Sequence, residues 1–416
     1  MKIAIIGSGV SGLVCAHLLQ KSHDVVLFEA DDRPGGHSDT HRVELGDASV
    51  EVDTGFLVYN ERTYPLFCRL LERLGVATQP SDMSFSVADA RTGLEWCGTS
   101  PSTVFAQRRN LVRPAFLAML ADIVRFNRLA RGLLNDPPGD EVTLEEVLSE
   151  HRWSNGLREW YLVPLGSSIW SAGPKTFTQI PAATFARFFE RHGLLSLRDQ
   201  PSWRTVTGGS RRYVEAILAP LKNEGRLRLG TPVDKIRRDP GGVEVVGPGG
   251  IESFDHVIVA THSDQALSML SDADRAEGAI LGAIGYQNNR ATLHTDARLL
   301  PRQARARASW NYHRLLVETD QATLTYYLNQ LQGIASKTPV LVTLNRDEAI
   351  DPDLVLARMD YAHPVLDAGA VAAQQRHGEI NGRRRTWFCG AYWGYGFHED
   401  GVASAVKTCR ELGTAF

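Results

Sequence analysis

Met1-Lys-Ile-Ala-Ile-Ile-Gly7-Ser-Gly9-Val-Ser-Gly12-Leu opens the chain, a helix-like stretch follows, and Val25-Val-Leu-Phe-Glu29-Ala30 closes the unit. Apolar run, glycine turn, helix-like stretch and second apolar run give the order strand, turn, helix, strand. Gly7 allows the tight bend, Gly9 lets the backbone approach a pyrophosphate, and Gly12 lets helix and strand pack closely. The free N–H groups at the helix start, from Val10 and Ser11 onward, favour an anion. Glu29, with Ala30 beside it, ends the second strand where a carboxylate accepts hydrogen bonds from a ribose 2′-OH. The unit therefore reads as the binding site of a dinucleotide.

The rest of the 416-residue chain is long enough for two domains. Apolar content of 43% and charged content of 22% are those of an ordinary globular protein. A net charge of −3 supplies no global field for nucleic acid, which is not expected as a partner, or for anionic lipid, so local charge matters more. Cys15, Cys68, Cys97, Cys389 and Cys409 form no C-x-x-C pair, so zinc, iron–sulfur and disulfide frameworks are not expected. A reducing, cytoplasmic setting suits such cysteine usage. The apolar stretch Ile3 to Leu19 lacks a basic leader and a cleavage site, and no run of about twenty apolar residues predicts a membrane span.

Three separated pieces read as one nucleotide-binding domain: residues 1–60, 205–265 and 378–416. In the second, Gly241-Gly242 and Gly247-Pro-Gly-Gly250 flank Val243-Glu-Val-Val246, a hairpin pattern. Val257-Ile-Val-Ala260-Thr261 then reads as a buried parallel strand. The third runs from Thr386-Trp-Phe-Cys-Gly390 into a final helix from Val402 to about residue 413. The insertions 61–204, read as largely helical, and 266–377, read as mixed, supply a substrate-binding domain. Thr323–Leu328 and Val340–Leu344 are strand-like runs within the latter.

Arg33-Pro-Gly35-Gly36-His37 brings a second glycine pair close after Glu29. At the far end stands Gly390-Ala-Tyr392-Trp393-Gly-Tyr395-Gly-Phe397-His398-Glu399-Asp400-Gly401-Val402. With the helix starting near Gly401, the N–H groups of Gly401 and Val402 are placed to stabilise negative charge on a reduced flavin.

These motifs resemble the amine-oxidase-like, glutathione-reductase-type FAD proteins. The resemblance implies an α/β fold: a Rossmann-like FAD domain split in sequence, with a mixed α+β substrate domain. It implies FAD as cofactor, with Val233 at the adenine. Where many of those proteins carry arginine after the paired glycines, this chain has His37. Asp53-Thr-Gly55-Phe56-Leu-Val-Tyr-Asn, Met83-Ser-Phe-Ser-Val87, Val163-Pro-Leu-Gly-Ser-Ser-Ile-Trp-Ser171 and Trp310-Asn-Tyr-His313 look like a bacterial amine-oxidoreductase-like subfamily. One branch is similar to the flavin-dependent desaturase of furan fatty acid synthesis, which acts on acyl chains of membrane lipids. On that branch the substrate is a methyl-branched or unsaturated acyl group; an amine is the alternative, and a double-bond isomerase or a non-catalytic flavin- or lipid-binding partner are others.

Flavin chemistry needs a C–H bond aligned in a site that excludes water. Trp170, Tyr392, Trp393, Tyr395 and Phe397 are candidate walls. Arg108 to Leu134 reads as a basic amphipathic helix with Phe116, Met119, Leu120, Ile123, Phe126, Ala130 and Leu134 on one face. It predicts peripheral contact with the inner membrane, aided by the basic run Arg302 to Arg307. For proton transfer the candidates are His398, Glu399, Tyr395 and His313. The sequence leaves the oligomeric state open.

Overall fold

The opening unit folds in the expected order: strand Lys2–Ile6 (β1), helix Val10–Leu19 (α1) and strand Asp24–Phe28 (β2). The computed structural model describes residues 1–46, 48–196 and 200–416. Strands Phe85–Asp89 (β3) and Leu94–Cys97 (β4) form a hairpin, followed by the helices Pro114–Asn135 (α2) and Ala182–Arg191 (α3). Leu227–Arg228 (β5) and His256–Val259 (β6) return the chain to the first sheet. Tyr286–His294 (β7), Trp310–Arg314 (β8), Leu324–Tyr327 (β9), Leu341–Leu344 (β10) and Val355–Pro364 (β11) build the second sheet. Thr386–Phe388 (β12) and helix His398–Glu411 (α4) close the chain.

The first sheet runs β5-β2-β1-β6-β12, all parallel, with Ile3 beside both Val25 and His256. Its central strands are apolar after their first residue because both faces are covered. α1 is buried nearly all round, since it lies between this sheet and α4. Gly401 makes that contact possible. A Cβ there would stand 2.6 Å from Val10 Cγ1, and Ser11 Oγ donates to the Gly401 carbonyl at 3.0 Å.

The second sheet has seven strands in the order β11-β7-β10-β9-β8-β3-β4. The segment 61–204 is therefore not only helical: it gives β3 and β4 to a sheet made mostly from residues 286–364. The β8–β3 pairing is parallel and long-range, a partnership that local pattern cannot signal. α2 and α3 pack together beside this sheet and share its apolar core. No helix of the described residues is long and apolar enough to cross a membrane.

Candidate functional site

A continuous cavity of about 1600 Å³ runs between the two sheets. Its first end is the glycine turn. Gly7 takes φ +99°, and a Cβ on Gly12 would stand 1.9 Å from the Gly7 carbonyl oxygen. Gly12 therefore lies behind the wall, holding helix against turn. Gly7, Gly9, Val10 and Ser11 line the cavity itself. Nothing stands within 4 Å of a Cβ built on Gly9 on its open side.

The second glycine turn closes onto the first. Gly35 N–H donates to Ser8 O at 3.2 Å, and a Cβ on Gly36 would stand 3.2 Å from Gly9 Cα. Gly35, like Gly12, is behind the wall. Gly36, His37, Gly55 and Phe56 line it. Phe56 N–H donates to His37 O at 2.7 Å, so these two loops are one surface. Glu29 accepts from Ser8 N–H at 2.9 Å and from Asp31 N–H at 3.1 Å, which fixes the carboxylate at the cavity edge beside Ala30. Val233, Ala260, Thr261 and Gly390 complete this end.

These residues fit an extended dinucleotide. The floor is bare backbone from two glycine turns, and a carboxylate stands at one end. His37 is half-buried, and its Nε2, shielded from solvent, has no hydrogen-bond partner. Burial pushes its pKa well down, so the ring is neutral. Sequence reading passed over Arg33, which supplies the nearby cation. Its guanidinium donates to Gly36 O at 3.0 Å and lies 3.4 Å from Asp39.

β11 carries Tyr361 and His363 across from the second sheet to His37, with ring centroids 5.0 and 5.2 Å away. Tyr361 Oη donates to Asp39 at 2.9 Å. His363 Nδ1 faces the Asn289 amide at 3.3 Å, and Asn289 also donates to Ser171 O at 2.9 Å. Ser171 lines the cavity at φ +49°, an unusual conformation for a side-chain-bearing residue. Asn289 sits in no sequence motif, and the stretch from Val163 that ends at Ser171 does not by itself signal such a junction.

The four acid–base candidates are not brought together. His398 reaches the cavity wall but is stacked on Phe56 at 3.6 Å, and its Nε2 lies 3.1 Å from both the Ser38 and Tyr213 hydroxyls. Burial lowers its pKa to about 3. The Glu399 carboxylate accepts from Leu66 N–H at 3.0 Å and Phe67 N–H at 2.9 Å, so it caps the helix Pro65–Leu74. His313 lies inside the seven-stranded sheet, 2.8 Å from Thr325 Oγ1, away from the cavity wall. Tyr395 stands behind the wall, its carbonyl accepting from Trp170 Nε1 at 3.2 Å. Of the expected aromatic walls, Tyr392 and Phe397 line the cavity, whereas Trp170, Tyr395 and Trp393 pack behind it.

The last helix also corrects an expectation. It begins at His398, because Asp400 accepts the Phe397 N–H at 3.0 Å and starts the helix one turn early. Gly401 N–H already donates to Phe397 O at 3.1 Å, and Val402 is a buried residue inside the helix. Neither N–H is free to reach a flavin. Asp400, Gly401 and Val402 instead fix α4 against α1 and the terminal loop.

Beyond Phe397 the cavity continues as an apolar arm walled by Phe85, Trp96, Ile123, Leu165, Phe188 and Trp203. His192 enters this arm from just past α3. Its Nδ1 lies 2.9 Å from the Phe188 carbonyl oxygen, which can only accept. Nδ1 therefore holds the proton, and Nε2 presents a lone pair away from the helix. Burial lowers its pKa to about 4. Sequence reading missed this residue: Arg191-His192-Gly193 looks like an ordinary helix end.

A family model described as flavin containing amine oxidoreductase matches residues 10–284. AofH of Mycobacterium tuberculosis, a provisionally assigned flavin-containing monoamine oxidase, is 29% identical over 274 residues. The match covers 62% of this chain and 56% of that protein, so the chain spans little more than half the length of this relative. Cyclohexylamine oxidase from Brevibacterium oxydans superposes with a TM-score of 0.69 at 18% identity, covering 99% of both chains. The CLA-producing fatty acid isomerase from P. acnes gives 0.68 at 16% identity, covering 98% of both. At such identities these likenesses establish a shared fold.

Proposed function

The chain belongs to the flavin-containing amine oxidoreductase family, with FAD as cofactor, and from that premise we propose that it is an oxidoreductase that removes a hydride from a lipid acyl chain. The observation that carries this reading is the apolar arm. Of the charged side chains along the cavity, Glu29, Asp31 and Arg33 belong to the nucleotide end. Asp360 pairs with Arg290, and Asp82 is occupied by Ser84 and Ser309. No lysine is among the described residues that line it. A long alkyl chain gains from burial against such walls, whereas beyond the nucleotide end an ammonium group would meet, among the described lining residues, only Asp360, already paired with a cation, and Asp82, already turned to the serine hydroxyls.

Bound FAD supplies the hydride acceptor. Phe188 and Phe397, whose rings stack 5.2 Å apart, exclude water from the junction of arm and nucleotide end. His192 Nε2 takes the proton from the neighbouring carbon as the double bond forms. A base of pKa about 4 cannot deprotonate a neutral alkyl carbon, but it suffices once hydride departure has left that carbon's neighbour cationic. The arrangement therefore favours hydride loss before, or together with, proton loss. Substrates with an allylic or methyl-branched C–H suit it best.

An amine oxidase is the second reading, favoured by the relatives and by Tyr392 and Phe397 in the wall, since aromatic faces hold ammonium groups. Anaerobic mixing separates the two. The expected result is bleaching of the flavin by a phospholipid with a branched or unsaturated chain, with a product lacking two hydrogens. Bleaching by simple amines alone overturns the acyl reading. An acyl product of unchanged mass points to double-bond isomerisation instead.

A further inference from the structure

The helix α2 does not use the face on which its sequence predicts membrane contact. Phe116, Met119, Ile123, Phe126 and Ala130 are buried in the core, packed against α3 and its neighbours. A second stripe is exposed instead. Leu111 is 51% exposed, Val112 80%, Leu117 41% and Val124 50%. Between them Pro114, Ala115, Ala118 and Ala121 are also exposed and uncharged, so the first turns of α2 present a continuous apolar surface.

This stripe leads to the cavity. Val124 is half-exposed, yet it lines the arm together with the half-buried Leu120 and the exposed Gly98 and Thr99. The arm therefore opens to the surface at this point of α2.

Cations rim the same face. Arg108, Arg109 and Arg128 are exposed, and Arg109 donates to Gly93 O at 2.8 Å. Arg302 and Arg305 join them, because Glu95 accepts from Arg302 N–H at 3.1 Å and Gln303 N–H at 2.7 Å while its own N–H is held by Gln107. Among the described residues, Arg108, Arg128, Arg302 and Arg305 have no carboxylate partner. Asp122 is buried and already paired with Arg125. On a chain of net charge −3 this is a local excess of positive charge beside exposed aliphatic groups.

We propose that the stripe Leu111–Val124 with its arginine rim is a docking surface for an anionic phospholipid bilayer, seating the mouth of the arm against the lipid. The aliphatic side chains enter the interfacial region, and each arginine near the headgroups adds electrostatic attraction. An acyl chain then passes from bilayer to arm without crossing water. That last step rests on the acyl reading above; the docking itself does not.

The test is co-sedimentation of the FAD-loaded full chain with vesicles. The expected result is binding to mixed phosphatidylglycerol–phosphatidylcholine vesicles, weaker by about tenfold or more on phosphatidylcholine alone and weakened by salt. The exposed triple variant Leu111→Ser, Val112→Ser, Leu117→Ser should lose about tenfold in vesicle affinity. Its flavin absorbance and its turnover of detergent-dispersed substrate should be unchanged. The proposal is overturned if wild type ignores anionic vesicles, or if the triple variant binds them as wild type does. It is also overturned if wild type is a dimer that the triple variant makes monomeric, for the stripe would then be covered by a second copy. Vesicle binding without flavin bleaching by any acyl lipid leaves the surface standing and removes only the acyl reading.

Discussion

The two ends of the cavity are built in opposite ways. The nucleotide end is made of backbone: two glycine turns meet at Gly9 and Gly36, and side chains matter there mainly by their absence. The apolar arm is walled by side chains drawn from β3, β4, α2, α3, the helix Val163–Trp170 and the strand Trp203–Val206. A surface made of backbone tolerates almost no substitution and serves a constant ligand. One made of side chains can be re-lined residue by residue, which is how one fold hosts amine and fatty acid chemistry.

The sharpest way to break this contrast is at Gly12. A Cβ there would stand 1.9 Å from Gly7 O, and no side-chain rotation can relieve a clash with backbone. Gly12→Ala should purify with less than about a tenth of the wild-type flavin, read from visible absorbance. If Gly12→Ala retained full flavin, the nucleotide end would be as adaptable as the arm. His192→Phe is the counterpart in the arm. It keeps the ring stacked on Phe188 but removes Nε2. Flavin content should hold while flavin bleaching by substrate slows about 10²- to 10⁴-fold; an unchanged rate would remove His192 as the base.

The same contrast explains what the sequence discloses. Gly7, Gly12, Gly35 and Gly36 are readable because tight turns and close backbone approach admit no other residue, so the constraint is written locally. Val257 to Val259 is readable because a strand covered on both faces must be apolar throughout. His192, Asn289 and Ser171 are not readable. Asn289 acquires its place from Ser171 and His363, far along the chain, and His192, though held by the Phe188 carbonyl one turn earlier, meets the arm only through distant walls such as Phe85 and Trp203. The α2 stripe was hidden differently: a helix apolar on two faces gives one periodicity, and the buried face claims it. The start of α4 shifted because an acid at Asp400 caps the Phe397 N–H more strongly than the glycine after it marks a boundary.

A smaller effect tests the side-chain nature of the arm. Leu120 lies at its mouth and is only half-buried, so a larger residue can fill the arm without disturbing the core. Leu120→Trp should lower kcat/KM for long-chain substrates by about tenfold and leave short-chain substrates nearly unchanged. Equal loss on both would mean that substrates enter elsewhere.

The smallest expected effect lies where the two regions join, at Asp400. Its carboxyl is pushed up to about 7, first by burial, against the lowering effect of the Phe397 and Tyr395 N–H groups. Its unfolded value is 3.8, so the sign follows directly. Below about pH 4 both states are protonated and burial costs nothing. As pH rises toward 7 the unfolded chain releases a proton that the folded chain keeps, and stability falls; above 7 the penalty is constant. Asp400→Asn keeps an acceptor for Phe397 N–H without the charge. It should raise Tm by about 2 °C at pH 8 and not at all near pH 4. A gain of equal size at both pH values would mean that the effect is packing beside Gly394, where a Cβ would stand 2.2 Å from the Asp400 carboxylate, rather than titration.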